Sequence, residues 1–264
     1  MNVINNYDTY IALLNKVNVQ QNGEIGPARF NGWYNETSLT LFKKFGALYD
    51  INQQIEDLLA PFIKEVNVII APQTGQSWGL AVRPTDFEYL VNAALIRQKT
   101  ENTCFGNDAL PIIDQNGKSH PFVDPTFAGI IQNFAGANTV ERLITKIDAQ
   151  RWSSCLDHPS KGPTFDNPKM TQYNNGFKVA PKGITVIILK YLSTPISSVF
   201  NGSISDADIF IYNPATSQQL QWSQQVQPWF LAMLVTKYGL YINDTNIVQM
   251  GEEMLKLLEV SING

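Results

Sequence analysis

Two changes of hydrophobic period along the 264 residues predict an α+β protein. Apolar residues recur at helical spacing in the first part. They alternate or run together between turn signals in the middle, and the helical period returns near the end. The expected architecture is a helical N-terminal part over residues 1–63, then an α+β unit over 64–264. That unit holds a central antiparallel sheet of hairpins or meanders and two C-terminal amphipathic helices. No internal repeat, low-complexity tract or linker divides it.

Each element has its own signal. Tyr10, Ile11, Leu13, Leu14 and Val17 fall on one helical face, and Gly23 to Pro27 breaks the pattern. Pro27 suits the first turn of a second helix, because its missing N–H is one that a helix start leaves unbonded. Leu41, Phe42, Phe45, Leu48, Ile51, Ile55, Leu58 and Leu59 then trace a wide apolar stripe, which Gly46 and the Asp50–Asn52 region divide. Beyond Pro61, Val66, Val68 and Ile70 alternate as a strand. The turn-forming "APQTGQSW" leads to Leu80 and Val82. "RPTDFEYLVNAALIRQ" fits strand or helix, and "DQNGKSH" reads as a hairpin tip. "ANTVERLITKIDAQRWSSCLDHP" enters as a strand and leaves as a short helix. Met170–Tyr173 and Phe177–Ala180 flank Asn174-Asn175-Gly176, where the Asn-Gly pair suits a type I′ hairpin turn. The apolar run Ile184–Leu192 predicts a strand buried on both faces. Pro228 opens a helix carrying Val226, Trp229, Phe230, Met233 and Leu234, with Gly239 at its stop. Asn243 or Asp244 caps the last helix.

Composition narrows the function classes. Hydrophobic residues make up 44% and charged residues only 16%, against about 25% in an average domain. Asn and Gln fill much of the missing polar surface. Amides hydrogen-bond without strong desolvation costs, so the pattern fits a surface covered by neighbours, or simply an amide-rich solvated one. The net charge of −4 argues against a protein that grips nucleic-acid phosphates. Lys43 with Lys44, Lys178 with Lys182, and Arg142 with Lys146 and Arg151 form local basic patches that read as solvated faces. The N-terminus has no basic region leading into an apolar core, so no secretory signal is expected. No apolar run approaches the ~20 residues of a membrane span. Cys104 and Cys155 read as reduced thiols.

A search for chemistry finds no catalytic set. "GKS" at Gly117–Ser119 lacks the upstream glycine of a phosphate loop, because Ile112 stands there. Cys155 and His158, with Cys104 and His120, have the ligand types of structural zinc, but their spacing is scattered and buried thiols explain them as well. Asp206 and Asp208 lack the spacing of a calcium loop and read as a turn. The expectation is a non-enzyme with no cofactor and no metal.

One stretch of the chain carries a resemblance. A strand and short helix ending in Trp152 precede "PTFDNPKMTQYNNGFKVAPKGITVIILKYLSTP". A tyrosine-bearing strand "IFIYNP", then "LQW" and two amphipathic helices follow. In order and spacing, roughly residues 138–258 resemble head-to-tail connector (neck, ring) structural proteins of tailed phages of Bacteroidetes, crAss-like phages included. The resemblance implies a virion protein, assembled in the host cytoplasm, whose copies form a ring stacked on or near the portal. Its partners would be itself, the portal protein and neighbouring neck or tail proteins. Genomic DNA would pass through the channel without specific binding, and no membrane would be involved. The alternatives are a tail, fibre-anchoring or capsid-decorating component, or a small phage enzyme with an unrecognised site. The expected interface lies in the C-terminal helices, where Trp222, Trp229, Phe230 and Tyr238 offer more aromatic area than one small core needs. Packing of Trp229 and Phe230 against the sheet is the alternative.

Overall fold

The computed structural model describes residues 3–17, 25–49, 52–98, 112–113, 119–120, 139–158, 161–174, 176–204 and 210–263. The chain passes from one unit to another between Ile63 and Lys64, and returns to the first between Ser193 and Thr194. The expected single unit over 64–264 therefore does not form. Lys64–Ser193 is an insertion, and the C-terminal helices belong with the N-terminal ones.

Hydrophobic period and caps build the first unit as expected. Helix α1 (Asn6–Val17) buries Tyr10, Leu13 and Val17. Helix α2 (Pro27–Gly46) starts with its proline in the first turn and buries Phe30, Tyr34, Leu41, Phe42 and Phe45. Helix α3 (Gln53–Leu59) begins where Asn52 Oδ1 accepts from Gln54 N–H at 2.8 Å. After a short hairpin of β11 (Gly202–Ile204) with β12 (Phe210–Tyr212), the chain forms α5 (Gln227–Ile242) and α6 (Thr245–Asn263). Gly239 does not end α5. The helix runs on to Ile242 and stops at Asn243, whose φ of 57° is left-handed. Asp244 Oδ1 then caps α6, accepting from Asn246 N–H at 2.9 Å. Gly239 instead admits α6: a Cβ there would lie 2.7 Å from Val248 N, and one at Gly251 would lie 2.3 Å from Thr236 Oγ1.

The inserted unit is a sheet that closes on itself. Its strands are β1 (Ile63–Pro72), β2 (Gly79–Val82), β3 (Phe87–Gln98), β6 (Thr139–Leu143), β7 (Thr145–Lys146), β8 (Lys169–Tyr173), β9 (Gly176–Ala180) and β10 (Val186–Ser193). A separate antiparallel pair is β4 (Ile112–Ile113) with β5 (Ser119–His120), and the expected hairpin tip at 114–118 lies outside the described residues. The order in the large sheet is β6-β3-β10-β1-β2-β9-β8-β7. Its two edges, β6 and β7, are consecutive in sequence and separated only by Ile144. The segment pairs antiparallel with β3 up to Leu143. Ile144 N–H still donates to Ala93 O at 2.8 Å, whereas Thr145 N–H donates to Pro168 O at 3.0 Å. From there the segment runs parallel to β8. One strand thus changes partner in mid-course and joins both edges, so neither is left open to pair with another chain. The expectation of an antiparallel sheet holds for β1–β2, β2–β9, β8–β9, β3–β10 and β3–β6 and fails at this closing contact.

The interior is filled by side chains, as in other small barrels. Met170, Phe177, Val179, Ile187 and Leu189 are all at most 1% exposed. The β8–β9 hairpin forms, with Tyr173 opposite Gly176. Gly176 is therefore a strand residue, and the positive φ falls on Asn174, at 42°. The glycine serves close approach: a Cβ would lie 2.3 Å from Ala81 O on β2. A fourth helix, α4 (Trp152–Leu156), follows β7, and Trp152 starts it rather than ending it.

Candidate interaction surfaces

The aromatic residues expected at an interface are core. Trp222, Phe230 and Tyr238 are 0% exposed and Trp229 is 4% exposed. Trp222 packs against Phe62 at 4.6 Å between ring centroids, and its Nε1–H donates to Ser38 Oγ at 2.9 Å. Trp229 meets Phe45 edge-on at 5.5 Å. Burial pushes the Tyr238 hydroxyl up, with Tyr241 adding to it. The reason is visible in α5 itself. "QPWFLAMLVTKYGLYI" carries one charged residue, Lys237, so it is apolar nearly all round, and such a helix is enclosed by neighbours.

The first unit displays a different set. On the outer side of α2, the Arg29 guanidinium lies 3.9 Å from the centre of the Tyr241 ring. Trp33 meets the same ring edge-on at 5.8 Å. Tyr241 is 47% exposed and its neighbour Leu240 is 63% exposed. Gly26, Ala28 and Gly32 leave an open groove beside Trp33. The Lys237–Glu36 ion pair, at 2.7 Å, connects the same two helices. On α6, Leu257 and Val260 also face solvent. Arg29, Trp33 and Tyr241 were missed because helical periodicity assigns them to outer faces, and only folding brings them into one cluster.

The inserted unit gathers charge. Thirteen lysines and arginines against eleven acids give Lys64–Ser193 a net +2, and the first unit carries −6. Residues 139–193 alone hold eight basic and four acidic residues. Lys146, Arg151 and Lys161 line one open groove with His158, Cys155 and Asp148. A second groove shares His158 and continues past Ser77 and Pro181. Lys182 N–H donates to Ser77 O at 2.7 Å, which sets Lys182 beside it. Next along the chain from Ser77, Trp78 shares Lys178 with Tyr173; the ammonium lies 4.7 Å and 4.0 Å from the two ring centres. Of the basic residues noted in the sequence, Lys146 and Arg151 thus share one groove, joined there by Lys161. Elsewhere on this unit Asp86 is held below the usual carboxylate range, chiefly by the Lys64 ammonium at 2.5 Å. Tyr191 donates to Asp86 at 2.8 Å, and burial together with that carboxylate pushes its hydroxyl up to about 12.

The metal and catalytic candidates do not come together among the described residues. His158 follows α4, three residues after Cys155, and its Nδ1 accepts from Lys161 N–H at 3.0 Å. Cys104, Gly117, Asp206 and Asp208 lie outside the described residues, as does the His120 side chain. No group of three metal-ligating side chains occurs among the described residues, and no described helix is long and apolar enough to cross a membrane. No protein-family model matches this chain, and no curated protein is significantly similar to it in sequence.

Proposed function

We propose that this chain is a non-enzymatic virion structural protein, a subunit of a ring in the head-to-tail connector of a tailed phage. In this reading it is stacked on or near the portal and surrounds the DNA channel. The observation that carries the reading is the Arg29–Trp33–Tyr241 cluster, with Arg29 and Tyr241 exposed, Trp33 half-buried and the exposed Leu240 beside it. Arginine, tryptophan and tyrosine are the residues that dominate interface energies, and here they lie outside the core. The resemblance of residues 138–258 to connector proteins supplies the kind of assembly. A barrel with joined edges favours contact through side-chain surfaces rather than strand addition.

Copies in a ring touch head to tail, so each contact recurs until the rotation closes. Such contacts need not be strong in free solution, because a portal template raises the effective concentration of neighbours. The protein is therefore a monomer or small oligomer when dilute and a closed ring on the particle. An electron-microscopy map of the virion tests this. Density for the chain at the neck supports it. Density at shell faces or fibre tips, or absence of the protein from purified virions, overturns it.

A further inference from the structure

We infer that the basic groove of the inserted barrel binds the phosphodiester backbone of nucleic acid, without reading sequence. Lys146, Arg151 and Lys161 converge on one groove with a single carboxylate, Asp148. None of the three lysine and arginine side chains has an ion-pair partner among the described residues. In the first unit, by contrast, Lys44 is paired with Glu259 and Lys237 with Glu36. Gathering like charges without counter-charges destabilises a fold, so an external anion is the natural complement. Glu141, Asp157, at the end of α4, and Asp166 are the other acids of this stretch, and they leave residues 139–193 with net +4.

The form of the surface distinguishes phosphate from protein. Cores of protein interfaces are apolar and depleted in lysine. This groove is lined by lysine, arginine, histidine and serine, with Ile147 its one large aliphatic side chain. The second groove continues from His158 to Pro181, the residue before Lys182, and no described lysine or arginine lines it. Three converging cations suit a backbone that presents charges at regular spacing, and both Lys and Arg serve as phosphate donors. The inference stands on barrel side chains and does not depend on the ring reading.

Three cations, Lys146, Arg151 and Lys161, set the salt dependence. Neutralising about three phosphates gives a slope near −2.7, a loss of about 40-fold between about 50 and 200 mM salt. Binding is thus measurable at low salt and weak at physiological salt. The test is fluorescence anisotropy of the full chain with a labelled duplex of about 20 base pairs across that salt range. Arg151→Glu with Lys161→Glu is compared with Lys16→Glu with Lys256→Glu, which changes net charge equally on exposed residues of the first unit. The expected result is a loss of at least about tenfold, with a shallower slope, only for the barrel variant. Equal losses in both variants overturn the inference, as does no binding by the parent protein at low salt. Displacement of the duplex by polyglutamate as effectively as by equal charge of unlabelled DNA also overturns it, in favour of an acidic protein partner. If melting shows the Glu variant misfolded, Arg151→Gln with Lys161→Gln carries the same comparison.

Discussion

Asn35→Ala should destabilise the first unit far more than an amide on a half-covered helix ordinarily does. Asn31 and Asn35 lie one turn apart on α2, and each grips both backbone groups of one residue in the extended stretch 198–200. Asn35 Nδ2 donates to Ser198 O at 3.0 Å while its Oδ1 accepts from Ser198 N–H at 2.6 Å. Asn31 does the same to Phe200 at 2.8 and 2.7 Å. The two amides act as a neighbouring strand would, satisfying a segment that has no sheet partner on that side. Ser198 is 3% exposed and Phe200 2% exposed, so water does not readily replace them. Orphaning a buried backbone group costs about 1–3 kcal/mol, so losing two gives about 2–6 kcal/mol for Asn35→Ala. That is a large share of the 5–15 kcal/mol that holds typical domains together. Urea unfolding followed by tryptophan fluorescence, with Trp222 and Trp229 reporting from the core, measures it. Asn35→Asp sharpens the test, because it keeps the acceptor but sets a carboxylate against Ser198 O. Protonation restores a donor, so its folded pKa is raised. The stability it restores is present below the unfolded value near 3.9 and lost as pH rises through the folded one. Its deficit should narrow toward pH ~4 while that of Asn35→Ala does not. A loss below about 0.5 kcal/mol for Asn35→Ala would refute the strand-mimic argument.

Gly251→Ala should lower the melting temperature, because its Cβ meets Thr236 Oγ1, Thr236 N and Ala232 O within 2.9 Å, and α6 must lift from α5; the cost is about 1–3 kcal/mol. Gly32→Ala, in the same kind of helical setting with nothing within 4 Å, should raise stability by about 0.5–1 kcal/mol in the same melts. Asp86, held down by Lys64, contributes stability above the unfolded value near 3.9 that is lost as pH falls through its lower folded pKa, so Asp86→Asn should flatten the acid limb of a pH-stability curve. The same substitution should bring the Tyr191 phenolate down from about 12 partway toward its ordinary value of 10.0, read by absorbance of the ionised ring, since burial remains when the carboxylate is gone. The purified protein should carry no stoichiometric zinc by elemental analysis, and unfolding on chelation would contradict that.

The local elements were legible because their causes are local. Pro27, Asn52 and Asp244 act within a few residues, and each sits where its chemistry places it. Of the alternating Val66, Val68 and Ile70, the last two face the barrel interior as the period predicts, while Val66 is exposed. What the sequence hid is non-local. Barrel closure depends on β6 and β7 finding partners at opposite edges, and no residue near Ile144 advertises a change of partner. The return of the C-terminal helices to the N-terminal ones rests on Trp222 meeting Phe62 and Phe45, contacts between residues more than a hundred positions apart. The misplaced interface had a readable signal. One charged residue in all of α5 indicates enclosure, whereas the aromatic count alone suggested display.

Two compositional facts that pointed toward assembly change their meaning once residues are placed. The abundance of amides suggested a surface covered by neighbours. Yet Asn6, Asn31, Asn35 and Gln219 spend their bonds inside the first unit, and Asn6 is fully buried while accepting from Tyr212 and Gln219. Amide richness is thus in part a folding device and carries little weight as evidence of partners. The modest charge of −4 suggested a surface indifferent to phosphate. It is instead the sum of −6 on one unit and +2 on the other, and neither unit by itself is described by the total. Because Coulomb interactions are screened over about 8–10 Å, a partner feels the groove it touches and not the net charge of the chain. The weight of the assembly argument therefore rests on Arg29, Trp33 and Tyr241. Any contact with nucleic acid rests on Lys146, Arg151 and Lys161, so one surface can be disabled while the other is left intact.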